Sequence, residues 1–383
     1  MALEPETFRQ LLDTVERFVR ERLIPNEERV AETDEIPEDI LAEMRDLGLY
    51  GLSAPEEFGG LGLSMAEEAE VVYLLGHASP AFRSAIGTNV GIGSQGIVLD
   101  GTEEQKKEWL PKIASGEVVA SFALTEPEAG SDSASVRTVA RKDGDHYVVN
   151  GSKRFITNAA RAGMFTLMAR TGGPGAGGIS AFIVPADLPG IKIGKSEKKM
   201  GQQGAHIHDV IFEDCRVPAA NIIGGKEGQG FKTAMKTLEK GRLHIAALCC
   251  GVADRLIAES VKYASERKQF GQAIGEFQLI QAMLADSKAE AYAALCMVRD
   301  AARKRDAGQP VATEASCCKL FASEMVGRVA DRAVQIHGGS GYIRDYAVER
   351  FYRDVRIFRL YEGTSQVQQL IIARNLLKEA ANA

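Results

Sequence analysis

Apolar positions recur at three- and four-residue spacing through the first part of the chain, in "FRQLLDTVERFVRERL", "DILAEMRDLGLYGL" and "EEQKKEWLPKIASG". That spacing gathers one face of an α-helix. The turn-rich stretches "SAPEEFGGLGLS" and "GIGSQGIVLDGT" interrupt it. From about residue 117 the period drops to two, in "VVASFALTE", "SVRTVARK", "HYVVNGSKRFIT", "MFTLMART", "ISAFIVPA" and "HDVIFEDCRVP". Such alternation predicts six or seven short strands forming a compact antiparallel barrel or sandwich. "KDGDH" reads as a tight hairpin, and "TGGPGAGGIS" as a flexible loop between strands. Past "GGKEGQGF" the helical period returns, near 229–265, 275–306 and 313–336, with two shorter segments after them. Long segments with short connections predict an antiparallel helical bundle. The expected fold is α+β: an N-terminal helical domain over 1–116, a central antiparallel β domain over 117–225 and a C-terminal helical bundle over 226–383.

Composition narrows the class without naming a chemistry. With 383 residues, 45% hydrophobic and 26% charged, the chain is long enough for a large core and matches ordinary globular proteins. The amphipathic start carries acids and bases and lacks the apolar core of a secretion signal. No apolar run approaches the roughly 18 residues that cross a bilayer. A cytoplasmic protein with no membrane partner is expected. The six cysteines include two adjacent pairs within helical stretches, which suits neither disulfides nor metal-ligand spacing, so they read as small buried apolar groups. His206 and His208 could share one strand face, but no nearby acid or cysteine completes a metal site. The net charge of −6 speaks against nucleic acid as a partner. "GGKEGQG" lacks the strand and βαβ context of a dinucleotide fingerprint and reads as a loop.

One acid stands out. Glu362, in "FRLYEGTSQVQQL", lies between an aromatic residue and a glycine where a helical pattern begins. It could be an ordinary acid near a helix N-terminus, with Thr364 or Ser365 as the cap. It could equally be a base: a carboxylate in an apolar slot is a stronger base than a solvated one, and Phe358, Leu360 and Tyr361 could supply that slot. Gly363 would let the backbone pass close to a ligand.

"ALTEPEAGSDSAS" (123–135), "ERKQFGQAIGEFQ" (266–278), "QIHGGSGYIRDYAVERFYRD" (335–354) and "YEGTS" (361–365), in this order, resemble the acyl-CoA dehydrogenase family over essentially the whole chain. The resemblance implies a helical domain, a small β domain and a four-helix C-terminal bundle, with FAD between them. It implies that Glu362 removes the α-proton of an acyl-CoA thioester while the β-hydrogen leaves as hydride to flavin N5. It further implies that the base's own backbone N–H and a ribityl hydroxyl bind the thioester carbonyl, stabilisation that is often the largest catalytic contribution. Some relatives carry the base on an earlier helix; the matching position here is Gly241, which cannot serve.

For the cofactor, the resemblance implies that Phe122, Leu124 and Thr125 line the isoalloxazine, and that Phe155, Ile156 and Thr157 cover its other side. The residue-level alternative for that last group is a buried strand. Gly130 and Ser131 would offer backbone N–H groups to phosphate or substrate, while Glu126 and Asp132 hold their turn. Arg267, Gln269, Phe270 and Gln278, with Gln335, Gly338 and Gly339, would reach the FAD of a neighbouring subunit; Thr364 and Gln366 complete the set. Sharing a cofactor requires a homo-oligomer, in this family usually a tetramer. Arg242, with Glu239 beside it, resembles a substrate-pocket arginine, the alternative being an i,i+3 ion pair between the two. Arg83, in "SPAFRSAIGTNVGIGSQ", resembles an arginine of glutaryl-CoA dehydrogenases and of a sulfinopropionyl-CoA desulfinase that meets an anionic acyl end. Its alternative is a salt bridge to one of this chain's own acids. The implied activity is FAD-dependent α,β-dehydrogenation of a short or medium acyl-CoA with electron-transfer flavoprotein as acceptor. A desulfinase, a decarboxylating glutaryl-type enzyme, and a non-enzymatic flavoprotein recruited to nucleic acid are the competing readings.

Overall fold

The computed structural model describes residues 3–382. The amphipathic start folds as α1 (Pro5–Phe18), which runs through a π-helical turn and a short 3₁₀ turn into α2 (Glu27–Thr33). There follow α3 (Glu38–Asp46), α4 (Met65–Leu75), α5 (Pro80–Val90), α6 (Gln95–Asp100) and α7 (Glu103–Ala114). The starts of α4 and α7 are capping boxes, Ser64 with Glu67 and Thr102 with Gln105. Ser79 caps α5, where Pro80 occupies the first turn without losing a needed donor.

The central region forms a sheet from β1 (Val119–Ala123), β2 (Val139–Asp143), β3 (His146–Thr157), β4 (Ala162–Arg170), β5 (Ile179–Pro185), β6 (Ile191–Ile193) and β7 (Ile207–Pro218). Their order is β1-β4-β2-β3-β7-β6, with β5 paired to β4. The hairpin expected at "KDGDH" joins β2 to β3, with Asp143 opposite His146 and Gly144 at φ 61°. The expectation of a purely antiparallel sheet needs correction: β1 runs parallel to β4, Ala120 pairing with Met164 and Ala123 with Leu167. Alternation reports which face a residue takes but not which way its strand runs. Both faces of β4 are covered. Phe165, Leu167 and Ala169 enter one core with Phe182 and Phe212; Met164 and Met168 enter another with Ile97, Trp109 and Ala234.

The helical end comprises α8 (Gly230–Glu266), a small hairpin of β8 (Lys268–Gln269) and β9 (Gln272–Ala273), α9 (Gln278–Asp306), α10 (Ala312–His337), α11 (Ala347–Asp354) and α12 (Ser365–Asn382). The principal core joins α8, α9 and α10 with Phe351 of α11, with Val355 and Phe358 after it, and with Met65, Ala69 and Val72 of α4. Gly251 permits the α4 contact, because a Cβ there would lie 2.0 Å from the Tyr73 carbonyl oxygen. That close approach brings the acids of α4 and the following α5 against the first half of α8.

Candidate active site

Glu362 and Gly363 follow one another in the left-handed backbone region, at φ 51° and 89°. Glycine tolerates that region, whereas a glutamate there costs on the order of 1–2 kcal/mol. A Cβ at Gly363 would sit 2.5 Å from Gln368 Nε2, so no other residue fits without a shift. The turn feeds α12, and Thr364 Oγ1 accepts the Val367 N–H at 3.2 Å as its N-cap. The cap is therefore Thr364, which leaves Glu362 free of that duty. Gln366 is exposed in the first turn.

The carboxylate points towards α8. Glu362 Oε2 is shut away from solvent with no hydrogen-bond partner among the described residues. A Cβ on Gly241 would lie 2.1 Å from it, and Ile92 packs beside the same position. The glycine thus makes room for the Glu362 carboxylate. Burial pushes the Glu362 carboxyl above its ordinary range, and the nearby positive charges of Arg83, Lys319 and Arg242 only partly oppose it.

Those cations come from three helices. Lys319 of α10 is fully buried and donates to the Gly363 carbonyl at 2.6 Å. Arg242 of α8 is buried with its Nε unpartnered, and its Nη1 reaches only Ser316 Oγ at 3.5 Å. The expected pair with Glu239 does not form: Glu239 binds Arg305 at 2.9 Å, turned to the α9 side. Arg242 stands close enough to the Glu362 carboxyl to favour its charged form. The ion-pair alternative is removed, because Arg305 captures the acid.

Arg83 of α5 is buried and has no carboxylate within salt-bridge distance among the described residues. Its Nη2 faces His244 Nδ1 at 3.4 Å. His244 Nε2 in turn donates to Glu68 Oε2 at 2.7 Å, and Glu68 Oε1 accepts Lys240 Nζ at 2.7 Å. An ionised carboxylate can only accept, so the imidazole holds its proton on Nε2 and turns a lone pair to Arg83. Burial holds His244 below its ordinary range and so neutral, despite Glu68. The alternative of a salt bridge from Arg83 to one of the chain's own acids is thereby removed.

The two segments expected around a flavin meet in space. Arg154 N–H donates to the Thr125 carbonyl at 2.8 Å, and Ser121 Oγ donates to that of Thr157 at 2.8 Å. Phe122, Leu124 and Ile156 are buried, while Thr125 and Thr157 are half-buried beside them. Phe155 departs from the buried-strand alternative: its backbone is left-handed at φ 58° and the residue is 52% exposed, its ring under the Arg154 guanidinium. An aromatic residue held outward in strained backbone fits one wall of a planar cofactor. Glu126 holds the neighbouring turn, accepting Arg137 N–H (2.6 Å), Thr138 N–H (2.9 Å) and Lys153 Nζ (2.7 Å). Asp132 accepts Ser135 Oγ. Gly130 and Ser131 are left exposed at its tip, with open space beside Gly130. Planar wall, small-residue turn and free backbone donors together suit FAD.

Arg267, Gln269, Phe270 and Gln278 lie elsewhere. They are exposed on and beside the β8–β9 hairpin, Phe270 at 94% and in left-handed backbone. Gln335, Gly338 and Gly339 are exposed at the end of α10, joined to the hairpin through Ile274 and Ile336. The hairpin follows the end of α8, twenty-five residues beyond Gly241, about 38 Å along the helix. One chain does not bring these residues to its own Glu362.

Lys319, Gln368 and the Glu68–His244 pair escaped the sequence reading. A lone lysine in the apolar run "CCKLFA" and the i,i+4 spacing of Lys240 and His244 were the signals present.

Family models agree with this geometry across the chain: acyl-CoA dehydrogenase N-terminal domain over residues 5–117, middle domain over 121–215 and C-terminal domain over 228–377. The chain is 44% identical to a probable acyl-CoA dehydrogenase, YngJ, of Bacillus subtilis, covering 96% of this chain and 97% of that one. It is 43% identical to an acryloyl-CoA reductase (NADH) of Anaerotignum propionicum, covering 94% and 92%. The solved butyryl-CoA dehydrogenase of Megasphaera elsdenii superposes with a TM-score of 0.94 at 35% identity, covering 98% and 99%. A buried carboxylate against a glycine, a wall that suits a planar cofactor and matches along the full length lead to one conclusion: this chain belongs to the acyl-CoA dehydrogenase family, a family of FAD-dependent oxidoreductases.

Proposed function

We propose that the protein removes two hydrogens from a short or medium acyl-CoA, giving the trans-2-enoyl thioester, and passes the electrons to electron-transfer flavoprotein. The observation that carries this reading is the sealed, unpartnered Oε2 of Glu362. Glu362 takes the α-proton, and its backbone N–H donates to the thioester carbonyl as negative charge builds there. Phe122, Leu124, Thr125, Phe155, Ile156 and Thr157 would hold FAD, which when bound accepts the β-hydride. Gly130 and Ser131 offer N–H groups at the phosphate or thioester end, and Gly363 allows close passage of the backbone. Arg242 serves the substrate pocket and, near Glu362, favours the charged form of the base. The exposed set on the hairpin and at the end of α10, with Thr364 and Gln366, meets the cofactor of another copy in a homo-oligomer, a tetramer. The helix-length separation on a single chain supports that arrangement.

A second reading has its own support. A buried arginine without an acid is an unsatisfied charge, and Arg83 is in that position, so a substrate carrying a carboxylate or sulfinate at its acyl end would complete it. Anaerobic titration of the FAD-loaded protein with butyryl-CoA, longer acyl-CoAs and glutaryl-CoA tests both readings. Bleaching of the flavin by butyryl-CoA or a medium acyl-CoA supports the first, and no bleaching by any of them contradicts it. If Arg83 reads an anionic end, Arg83→Met loses glutaryl-CoA selectively; equal losses on both substrates remove it from recognition. Release of sulfite from a sulfinated acyl-CoA without bleaching would mark a desulfinase.

A further inference from the structure

The α-proton chemistry makes no direct use of Lys319, yet its placement is costly. Its Nζ lies in the core with only the Gly363 carbonyl, at 2.6 Å, as hydrogen-bond partner and no carboxylate within 4 Å among the described residues. Burying an ammonium on a neutral acceptor is unfavourable unless something else requires it. Gln368, also fully buried, converges on the same turn, donating to the Glu362 carbonyl at 3.3 Å and to that of Gly363 at 3.0 Å. Both carbonyls belong to the two left-handed residues, and such backbone persists only where its surroundings over-determine it. Fixing the two carbonyl directions fixes the direction of the Glu362 side chain and of its N–H.

We propose that Lys319 is a positioning residue for the base: by holding the Gly363 carbonyl it locks the left-handed turn that aims the Glu362 carboxylate and backbone N–H at the substrate. The proposal rests on Glu362 being that base. The ammonium has a second effect through space. Glu362 faces Arg83 from α5, Arg242 from α8 and Lys319 from α10, so each favours its charged form in a slot that disfavours it. Around Lys319 itself stand Arg242, Cys249 and Glu324, and the last is occupied by Ser365 and Arg359. Gln368 shares the geometric role but carries no charge, so the two effects separate.

The test uses the FAD-loaded protein and its Lys319→Met, Lys319→Arg and Gln368→Leu variants. It reads kcat, KM and flavin content, and the titration of the Glu362 carboxyl by ¹³C NMR without substrate. Lys319→Met is expected to lower kcat about 10²-fold with little change in KM or flavin content, and to raise the Glu362 titration midpoint by about one unit. Lys319→Arg restores most of both. Gln368→Leu lowers kcat but leaves the midpoint in place. Wild-type kcat in Lys319→Met, or a loss of kcat with an unmoved midpoint, overturns the proposal. Should Lys319→Met not fold, Lys319→Gln keeps a neutral donor, and its midpoint must still rise. If no acyl-CoA reduces the wild-type flavin, the functional reading fails, while the NMR titration still judges the link between Lys319 and Glu362.

Discussion

A buried carboxylate oxygen with no donor among the described residues has its charged form disfavoured, and Glu362 Oε2 is in that position, as the proposed role of base requires. Gly241 is the clearest case, since even one methyl would overlap Oε2. Gly241→Ala should therefore push the base aside, lowering kcat by about 10²-fold while FAD stays bound; rapid-mixing flavin reduction reads this directly. Because burial raises the Glu362 carboxyl and the cations only partly oppose it, its base form is lost as pH falls through a value above the ordinary 4.5. The acid limb of kcat/KM should lie above that value, and a limb at or below it would contradict the assignment. Glu362, Gly363 and Gly241 were legible in the sequence because they sit within short motifs. Lys319 and the Glu68–His244 pair were not, since their contacts join residues 44 and 176 positions apart. The i,i+3 pair of Glu239 with Arg242 does not form, because helical spacing allows a pair without compelling it.

Helix existence and extent were the most readable features at the level of elements. The period of 3.6 placed the long bundle helices to within a few residues of α8, α9 and α10. Strand direction was not readable, so the parallel β1–β4 pairing appeared only in the structure. The join between α4 and α8 was also hidden, since it depends on Gly76 and Gly251 meeting across distant segments. Gly251→Ala places a Cβ 2.0 Å from the Tyr73 carbonyl and should destabilise the fold by about 1–3 kcal/mol, measurable by urea unfolding. A smaller effect, with unchanged Glu68–His244 geometry, would show that α4 can shift at little cost.

For the molecule as a whole, the three-part order of helices, sheet and helices followed from the change in period alone, whereas the seams between the parts did not. At one seam Asp354 accepts the Gln202 N–H, while nearby Glu27 binds Arg255 and Arg350. Burial raises Asp354 to about 6, opposed by the Gln202 N–H, Arg350 and Arg353, and Glu27 reinforces the rise. The folded state therefore holds that proton where the unfolded chain, with its ordinary carboxyl, has released it. The stability this contributes is full at low pH and is lost as pH rises through about 6. Asp354→Asn should be more stable than wild type at pH 7.5, and the gap should close as pH falls towards 4; thermal unfolding across that range reads it. On the exposed hairpin, Phe270→Asp should reduce both oligomer size by light scattering and FAD retention. A variant that keeps both would break the link between association and cofactor. The most direct measurement is anaerobic rapid mixing of FAD-loaded Glu362→Gln with the acyl-CoA that bleaches the wild type fastest. Retained FAD and bound substrate with flavin reduction all but abolished is the expected result, and reduction at the wild-type rate would contradict Glu362 as the base.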